Sequence, residues 1–188
     1  MKRIVCSCTA ALAVPVALMW QVPHATAQSP KPALPAGYSA AKLSKEDDEG
    51  VRRLVGGIVT TWNTHDMAAF SGLLREDVEW VNVVGMHWRG REAVVKAHAV
   101  FHEIMFKDCR LKADEIEARP IGGGVAVAVV TFTQDAFTTP DGHAMPKGQT
   151  RLTLVLGKVK DEWKIVHAEN VRVDAEAVRN DPVNAGRR

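Results

Sequence analysis

W-V-N-V-V-G-M-H-W-R-G-R-E-A-V-V-K-A-H-A-V-F-H, residues 80–102, is the stretch that decides the fold. Its first part alternates, with Trp80 and Asn82 on the same side of the chain, and this alternation predicts a strand. Gly85 interrupts the strand, a second short strand follows it, and Gly90 then opens a helix. The stretch therefore predicts a β-hairpin that runs directly into a helix.

The predicted helix carries a histidine on its apolar face. Residues of this face recur at steps of three and four, as expected for one side of a helix; they are Val94, Ala97, His98, Phe101 and Met105. A buried imidazole must find a hydrogen-bond partner or line a cavity. We expect His98 to line a cavity, and the alternative is a buried histidine bonded to a strand carbonyl. His102, one turn later, is expected at the edge of the face.

Helices are predicted before this stretch and strands after it. Ser44 and Asp47 form a helix-start signal, and Asp66 is expected to cap a short second helix. Gly56 and Gly57 lie inside the first helix, where each costs about 1 kcal/mol relative to alanine, so another element is expected to pack closely there. The first helix has its apolar stripe at Val51, Leu54, Val55, Ile58 and Trp62, the second contains Met67, Phe70, Leu73 and Leu74, and the strands are expected at residues 110–119, 125–135, 149–159 and 163–173. This order predicts an α+β fold with helices on one side of a curved, mostly antiparallel sheet.

The first 27 residues have the pattern of a secretory signal peptide. Two basic residues precede an apolar run over residues 4–20, and Ala25 and Ala27 form a small-x-small cleavage site. We expect a periplasmic or secreted protein that does not contact the membrane after cleavage, and an uncleaved anchor is the alternative. The expected organisation is a signal peptide over residues 1–27, a proline-rich tether over 28–43, one folded domain over 44–174 and a flexible tail over 175–188.

Charge and cysteine content argue against a nucleic-acid-binding protein and against an internal disulfide. The chain has 24 basic and 22 acidic residues, and Lys2 and Arg3 leave with the signal peptide, so the rest is balanced. A balanced chain lacks the basic surface of a nucleic-acid-binding protein. Cys109 is the only cysteine after the signal peptide, which excludes an internal disulfide. We expect Cys109 to be a small, partly buried residue, and an intermolecular bridge is the alternative.

Several motifs together resemble a known family. They are W-N-T-H-D at residues 62–66, D-V-E-W-V-N-V-V-G at 77–85, W-R-G-R-E-A-V at 88–94, His98, and W-K-I-V-H-A-E-N-V-R-V at 163–173. In this order and spacing they resemble the nuclear-transport-factor-2-like superfamily, and within it the SnoaL-like or SgcJ/EcaC group. The resemblance covers about residues 44–174, nearly the whole predicted domain.

The resemblance implies a fold but not a reaction. The implied fold is a cone-shaped barrel of a strongly curved, mostly antiparallel sheet, with three N-terminal helices enclosing a pocket. Members include ketosteroid isomerases, polyketide cyclases, epoxide hydrolases and dehydratases, and many members only bind or dimerise. The fold therefore predicts a pocket without predicting its chemistry. It also leads us to expect a homodimer formed through the outer face of the sheet.

His98 is the candidate catalytic residue. It matches the recurrent histidine of the family, and an imidazole can act as an acid or a base near neutral pH. Alternation in the last strand predicts one face with Trp163, Ile165, His167 and Glu169. If Glu169 faces the pocket, it pairs with His98 and raises the pKa of that histidine. Candidate substrate-binding residues are Trp62, Trp80, Asn82, Phe101, His102, His167 and Glu169; the aromatic ones suit either a flat apolar ligand or a dry core.

Three functions are consistent with these residues. The first is a cofactor-independent acid–base enzyme of isomerase, cyclase or dehydratase type that takes a small apolar or aromatic molecule. The second is a binding or dimerisation module without catalysis. A resemblance to ketosteroid isomerases would imply a tyrosine proton donor on the first helix and paired carboxylates in the pocket. The only tyrosine, Tyr38, lies in the tether, and Asp135 and Glu169 are not expected to reproduce that pair. The third is a metal site that combines histidines 98 and 102, at helical i and i+4, with histidines 87 and 167.

No cofactor is expected. Gly122, Gly123 and Gly124 lack the spacing of a dinucleotide-binding motif, and a strand is predicted after them instead of a helix. The sequence also contains neither a nucleophile elbow nor a phosphate-binding loop.

Overall fold

Residues 42–183 are the part of the chain that this computed structural model describes. The predicted signal peptide and the tether as far as residue 41 lie outside them. The elements are α1 (Lys45–Thr64), α2 (Met67–Gly72), β1 (Leu74–Val81), β2 (His87–Arg89), α3 (Arg91–Ile104), β3 (Leu111–Gly122), β4 (Val125–Gln134), β5 (Phe137–Thr138), β6 (Ala144–Met145), β7 (Gly148–Val159), β8 (Glu162–Arg172) and α4 (Ala175–Arg179). Within the described residues, no helix is long and apolar enough to cross a membrane.

Polar side chains define where the first two helices begin. The Ser44 hydroxyl accepts a hydrogen bond from the Asp47 N–H at 3.1 Å, and the Asp66 carboxylate accepts one from the Ala69 N–H at 2.8 Å. Each bond satisfies an N–H that has no partner inside its helix. The second helix is shorter than predicted, because Leu74 is the first residue of β1 and pairs with Ile165 instead of continuing the helix.

Six strands form one curved sheet in the order β2-β1-β8-β7-β4-β3. All neighbours are antiparallel except β1 and β8, which run parallel. The sheet is strongly curved but does not close, and the apolar sides of α1, α2 and α3 join its inner face in one core. The predicted α+β fold is confirmed. The short strands β5 and β6 form a separate ribbon around a turn at residues 139–142.

A bulge in β8 changes which side chains face the core. Leu156 pairs with Ile165, whereas the preceding residue, Val155, pairs with His167, so β8 contains one extra residue at this point. The extra residue reverses the alternation that follows it. The predicted common face of Trp163, Ile165, His167 and Glu169 is therefore wrong. Ile165 faces the core, and after the bulge the inner positions belong to Ala168 and Asn170.

The glycines of α1 differ in their surroundings. A methyl group on Gly57 would lie 3.1 Å from the Leu73 Cδ2 atom, so the predicted close packing is present at this residue. Gly56 has no atom within 4 Å of the same position. Gly50, one of the early residues of the helix, lies against Trp163, and a methyl group there would be 2.7 Å from the ring Cδ1 atom. Gly50 and Gly57 therefore allow the close packing of α1, and Gly56 does not contribute to it.

The predicted flexible tail begins with a short helix. Asp174 accepts hydrogen bonds from the Glu176 and Ala177 N–H groups and so starts α4. This helix has five residues, follows β8, and contributes no buried residue to the core.

Candidate functional site

His98 lies inside the core with one ring nitrogen fixed by the backbone. Only 9% of the residue is exposed, and its Nδ1 is 2.8 Å from the carbonyl oxygen of Val94, one turn earlier in α3. A carbonyl oxygen can only accept, so Nδ1 must carry the hydrogen. In a neutral ring, the lone pair is then on Nε2. The partner is a helix carbonyl and not the strand carbonyl that we considered as the alternative.

Three aromatic rings surround His98. Their centroids lie 4.9 Å (Phe70), 4.9 Å (Trp80) and 5.6 Å (Trp88) from the imidazole centroid. These are contact distances for rings, so side chains occupy the space that the sequence predicted as a cavity. The same burial lowers the pKa of His98 to about 4, because removing the ring from water disfavours its charged form. His98 is therefore a neutral imidazole at neutral pH.

His102 is buried as well, although it was expected at the edge of the helix face. Only 5% of the residue is exposed, and its Nδ1 is 2.7 Å from the Nδ1 of His65. Its Nε2 is buried and has no hydrogen-bond partner among the described residues. Burial first, and then electrostatic repulsion from the imidazoles of His65 and His98 when they are protonated, lower the pKa of His102 to about 4. The buried side of α3 therefore runs through Val94, His98 and His102.

The end of α1 connects the histidine pair to the start of β3. The Trp62 indole contacts His102 edge to face at a centroid distance of 4.5 Å, and its Nε1–H donates to the Cys109 carbonyl at 2.8 Å. The Asn63 amide donates to the Leu111 carbonyl and accepts from the Leu111 N–H, both at 2.9 Å. These bonds hold the end of α1 and the chain after α3 together, and so fix the positions of His65 and His102.

Cys109 is buried and has a free thiol. Its Sγ donates to the Asp135 carbonyl at 3.3 Å. Burial raises the pKa of the thiol, so it stays protonated and unreactive at neutral pH. This agrees with the small, partly buried residue expected from the sequence.

Of the predicted substrate-binding residues, three lie on other surfaces. The Asn82 side-chain oxygen accepts hydrogen bonds from the Val84 and Met86 N–H groups at 3.1 and 2.8 Å, so it closes the β1–β2 turn. His167 and Glu169 lie on the outer face of the sheet because of the bulge in β8. The expected pairing of Glu169 with His98 is therefore wrong. The other four, which are Trp62, Trp80, Phe101 and His102, belong to the aromatic and imidazole cluster around α3.

The four histidines of the predicted metal site do not come together. His87 lies on β2, with its Nε2 3.1 Å from a carboxylate oxygen of Glu79, and His167 is on the outer face of the sheet. Across residues 42–183, no group of three histidine, cysteine, aspartate or glutamate side chains could hold a metal ion. The remaining pair, His98 and His102, instead faces aromatic rings.

Three residues near the site are not among the candidates predicted from the sequence. They are His65 at the exposed end of α1, Phe70 on α2, and Asn170 on the inner face of β8. Asn170 pairs with Leu152 on the inner face, and its Oδ1 is buried without a partner among the described residues. The signal for His65 was its position in W-N-T-H-D, two residues after the asparagine that binds the Leu111 backbone.

Two open grooves lie away from the histidine cluster. One, of about 330 Å³, is lined by the β5–β6 ribbon, including Phe137 and Met145. The other, of about 430 Å³, lies between the start of β1 and the start of α3 and includes Arg75 and Arg91. Neither groove includes a residue that contacts His98 or His102, so they do not form the expected apolar pocket.

Comparison with known proteins gives one family and many similar folds. A family model described as a SnoaL-like domain matches residues 51–170. An uncharacterised protein with a cystatin-like fold from Caulobacter vibrioides is 44% identical, with a TM-score of 0.71 over 73% of this chain and 97% of that one. No curated protein matches.

Two more distant structures share the fold alone. A ketosteroid isomerase-like protein from Erwinia carotovora is 12% identical, with a TM-score of 0.58 over 70% of this chain and 99% of its own. A nuclear-transport-factor-2-like protein of unknown function from Pseudomonas putida is 13% identical, with a TM-score of 0.57 over 72% of this chain and 93% of its own.

Proposed function

This chain belongs to the SnoaL-like family, and we propose that it binds a small apolar or aromatic molecule between its helices and its sheet, where His98 is the base of a cofactor-independent reaction. One observation carries the proposal. His98 is a buried imidazole whose Nδ1–H is committed to the Val94 carbonyl, which leaves the Nε2 lone pair for a ligand. The SgcJ/EcaC assignment stays a prediction.

The surroundings of His98 support proton abstraction next to an apolar group. The imidazole is neutral at neutral pH and so is ready to accept a proton. Its low pKa makes it a weak base towards water, but a negative charge that develops on an adjacent ligand stabilises the imidazolium and raises that pKa. Such a proton transfer would be the first step of the acid–base isomerase, cyclase or dehydratase reaction proposed here.

Ligand entry requires one of the surrounding rings to move. Phe70 and Trp80 are buried in the core, with 4% and 5% of each residue exposed. Trp88 is only partly buried and comes from the short edge strand β2. We propose that a flat ligand takes the place of the Trp88 ring against His98, since an aromatic molecule would restore the same contacts.

Replacement of His98 tests this function. The mature protein, purified from its own periplasm, is examined by native mass spectrometry for a retained small molecule, which is then used as substrate. The His98→Gln variant is expected to lose turnover and to bind the retained molecule more weakly. The control is His87→Gln, which removes a histidine on β2 that faces Glu79. Unchanged affinity and unchanged turnover in His98→Gln would overturn the proposal.

A second candidate function is an assembly module that forms a homodimer through the outer sheet face. The supporting observation is the exposed apolar surface there, with Val129 36% and Val171 50% exposed. We expect Val129→Lys to produce monomers in sedimentation velocity, because a charge on this surface would have to be desolvated in the dimer. Val84→Lys, in the exposed turn after β1, is the control. A monomeric wild-type chain would rule out this candidate.

We also propose that the protein is exported, on the basis of its N-terminal sequence. If the signal peptide is cleaved at the small-x-small site, the mature protein begins at Gln28. N-terminal sequencing of protein from the periplasm or the medium checks this. A chain that keeps residues 1–27 would support the anchored alternative.

A further inference from the structure

We propose that His65 and His102 form a proton relay from solvent to the interior, and that the Nε2 of His102 donates a proton to a carbonyl or enolate oxygen of the ligand. This proposal narrows the ligand to an apolar molecule that carries a carbonyl or enolate oxygen. The role of His102 towards the ligand rests on the proposed function, whereas the relay is a property of the ligand-free chain.

The geometry of the pair couples the two rings. Their Nδ1 atoms are 2.7 Å apart, which leaves room for one hydrogen between them. If His65 donates this hydrogen, a neutral His102 carries its own hydrogen on Nε2 and can donate it to a ligand. If His102 donates, its Nε2 holds a lone pair and can accept a proton. The position of the hydrogen between the two Nδ1 atoms therefore decides whether the His102 Nε2 is a hydrogen-bond donor or an acceptor.

The two ends of the pair lie in different surroundings. His65 is exposed at the end of α1, so its Nε2 can exchange protons with water. The His102 residue is 95% buried, and its Nε2 has no partner in the described part of the chain. A buried ring nitrogen without a partner is costly, and a ligand oxygen would supply the missing hydrogen bond. The pair thus leads from the surface to an unsatisfied interior atom.

The relay moves protons without creating a buried charge. The bond between the His102 Nε2 and its hydrogen breaks as the ligand oxygen takes the proton. The His102 Nδ1 takes the hydrogen that His65 held, and the His65 Nε2 takes one from water. Both rings end neutral, in the opposite tautomers, after one proton has entered from solvent and one has reached the ligand. The reverse sequence restores the starting state.

The position of His102 on α3 relates it to His98. Residues four apart on a helix are about 6 Å apart along its axis and lie on the same side. His98 can thus remove a proton from one atom of a ligand while His102 donates to an oxygen a few bonds away. The titratable groups that act on His102 are His65, from α1, and His98, on its own helix. Its other ring neighbours, Trp62 and Phe106, are uncharged.

The backbone at His65 supports a role for its side chain. This residue has φ 58° and ψ 25°, the left-handed conformation that glycine most often supplies at the end of a helix. Other residues lose roughly 1–2 kcal/mol in this conformation. An imidazole at this position brings its Nδ1 to His102, which glycine could not do.

The test compares His65→Asn with the wild type, both without ligand and labelled with ¹⁵N in their histidines. Asparagine tolerates the left-handed conformation, and its amide can bond to the His102 Nδ1, but unlike an imidazole it cannot take up a proton on one atom and release one from another. In the wild type we expect ¹⁵N shifts of His102 that are averaged between both tautomers. In the variant we expect one fixed tautomer and an exchange of the His102 ring hydrogen with water that is slower by about tenfold or more.

The control is His143→Asn, a change at an exposed histidine whose ring faces Asp141. It should leave the tautomers and the exchange rate of His102 unchanged. A single fixed tautomer in the wild type, or equal exchange rates in wild type and His65→Asn, would overturn the relay. The ligand-binding experiment on His98→Gln tests the proposed function, and the experiment on His65→Asn tests the relay. Loss of ligand in His98→Gln without an effect of His65→Asn rejects the relay alone, and the opposite result rejects the proposed function alone.

Discussion

Acidification should destabilise this protein through His98. Its pKa is about 4 in the folded chain, compared with an ordinary value of 6.5. The folded state therefore holds this proton less tightly than the unfolded state, so that unfolding takes up a proton at any pH between the two values. Stability is full above the unfolded pKa and falls as the pH is lowered towards the folded one.

The size of the effect follows from the same two pKa values. A difference of one pKa unit between the folded and unfolded states corresponds to about 1.4 kcal/mol. The lowered pKa of His98 therefore changes the free energy of unfolding by about 3 kcal/mol between the unfolded and the folded pKa. About 2 kcal/mol of this is lost between pH 7 and pH 5. His102 adds a loss of the same sign, since burial also lowers its pKa. Aspartates such as Asp47 and Asp77 have lowered pKa values and act only at more acidic pH.

Urea denaturation at pH 7 and pH 5 measures this loss in the wild type and in His98→Gln. The variant cannot titrate at residue 98, so its free energy of unfolding should fall by about 2 kcal/mol less than that of the wild type between these pH values. His98→Leu is a second variant without a titrating group, for use if glutamine does not fold in the ring cluster. His143→Gln, at an exposed residue, is the control. Equal losses in wild type and His98→Gln would refute the argument.

Two further predictions concern the packing of α1 and use the same denaturation assay. Gly56→Ala should raise the free energy of unfolding by about 1 kcal/mol, since the helix interior has open space there, whereas Gly50→Ala should lower it because the new methyl group would lie 2.7 Å from Trp163; the same sign for both would contradict this reasoning. Asn63→Ala should lower the free energy of unfolding by about 2 kcal/mol, because it removes both 2.9 Å bonds to the Leu111 backbone. Asn63→Asp keeps the acceptor and should lose less; a loss equal to that of Asn63→Ala would show that the bond from the Leu111 N–H does not contribute.

The fold could be predicted from the sequence because its main signals are local. Apolar residues at helical spacing located α1 and α3, and alternation located β4 and β7 within one residue of their observed ends. The start of β1 could not be predicted in this way. Leu73 and Leu74 continue the apolar pattern of α2, and only pairing with the distant residue Ile165 makes Leu74 part of a strand.

The candidate site was less predictable, because it depends on non-local contacts. One extra residue in β8 moved His167 and Glu169 to the outer face and brought Asn170 inside, and alternation alone does not reveal a bulge. Likewise, nothing near His65 in the chain indicates His102 as its partner. The rings that surround His98 come from α2, β1 and β2, so a sequence pattern could show that His98 is buried but not what fills the space around it.

The two histidines of α3 differ in how each is connected to the rest of the protein, and this difference limits the chemistry available to each. His98 has its Nδ1–H bound to the carbonyl of Val94, so its tautomer is fixed and only its Nε2 can act, as an acceptor. His102 has its Nδ1 bound to another titratable ring, so its tautomer can change and its Nε2 can act as donor or acceptor. A reaction that removes a proton at one atom and returns a proton at another needs one group of each kind. The proposed reaction assigns these two roles to His98 and His102 and so needs no carboxylate, in agreement with the position of Glu169 on the outer face of the sheet.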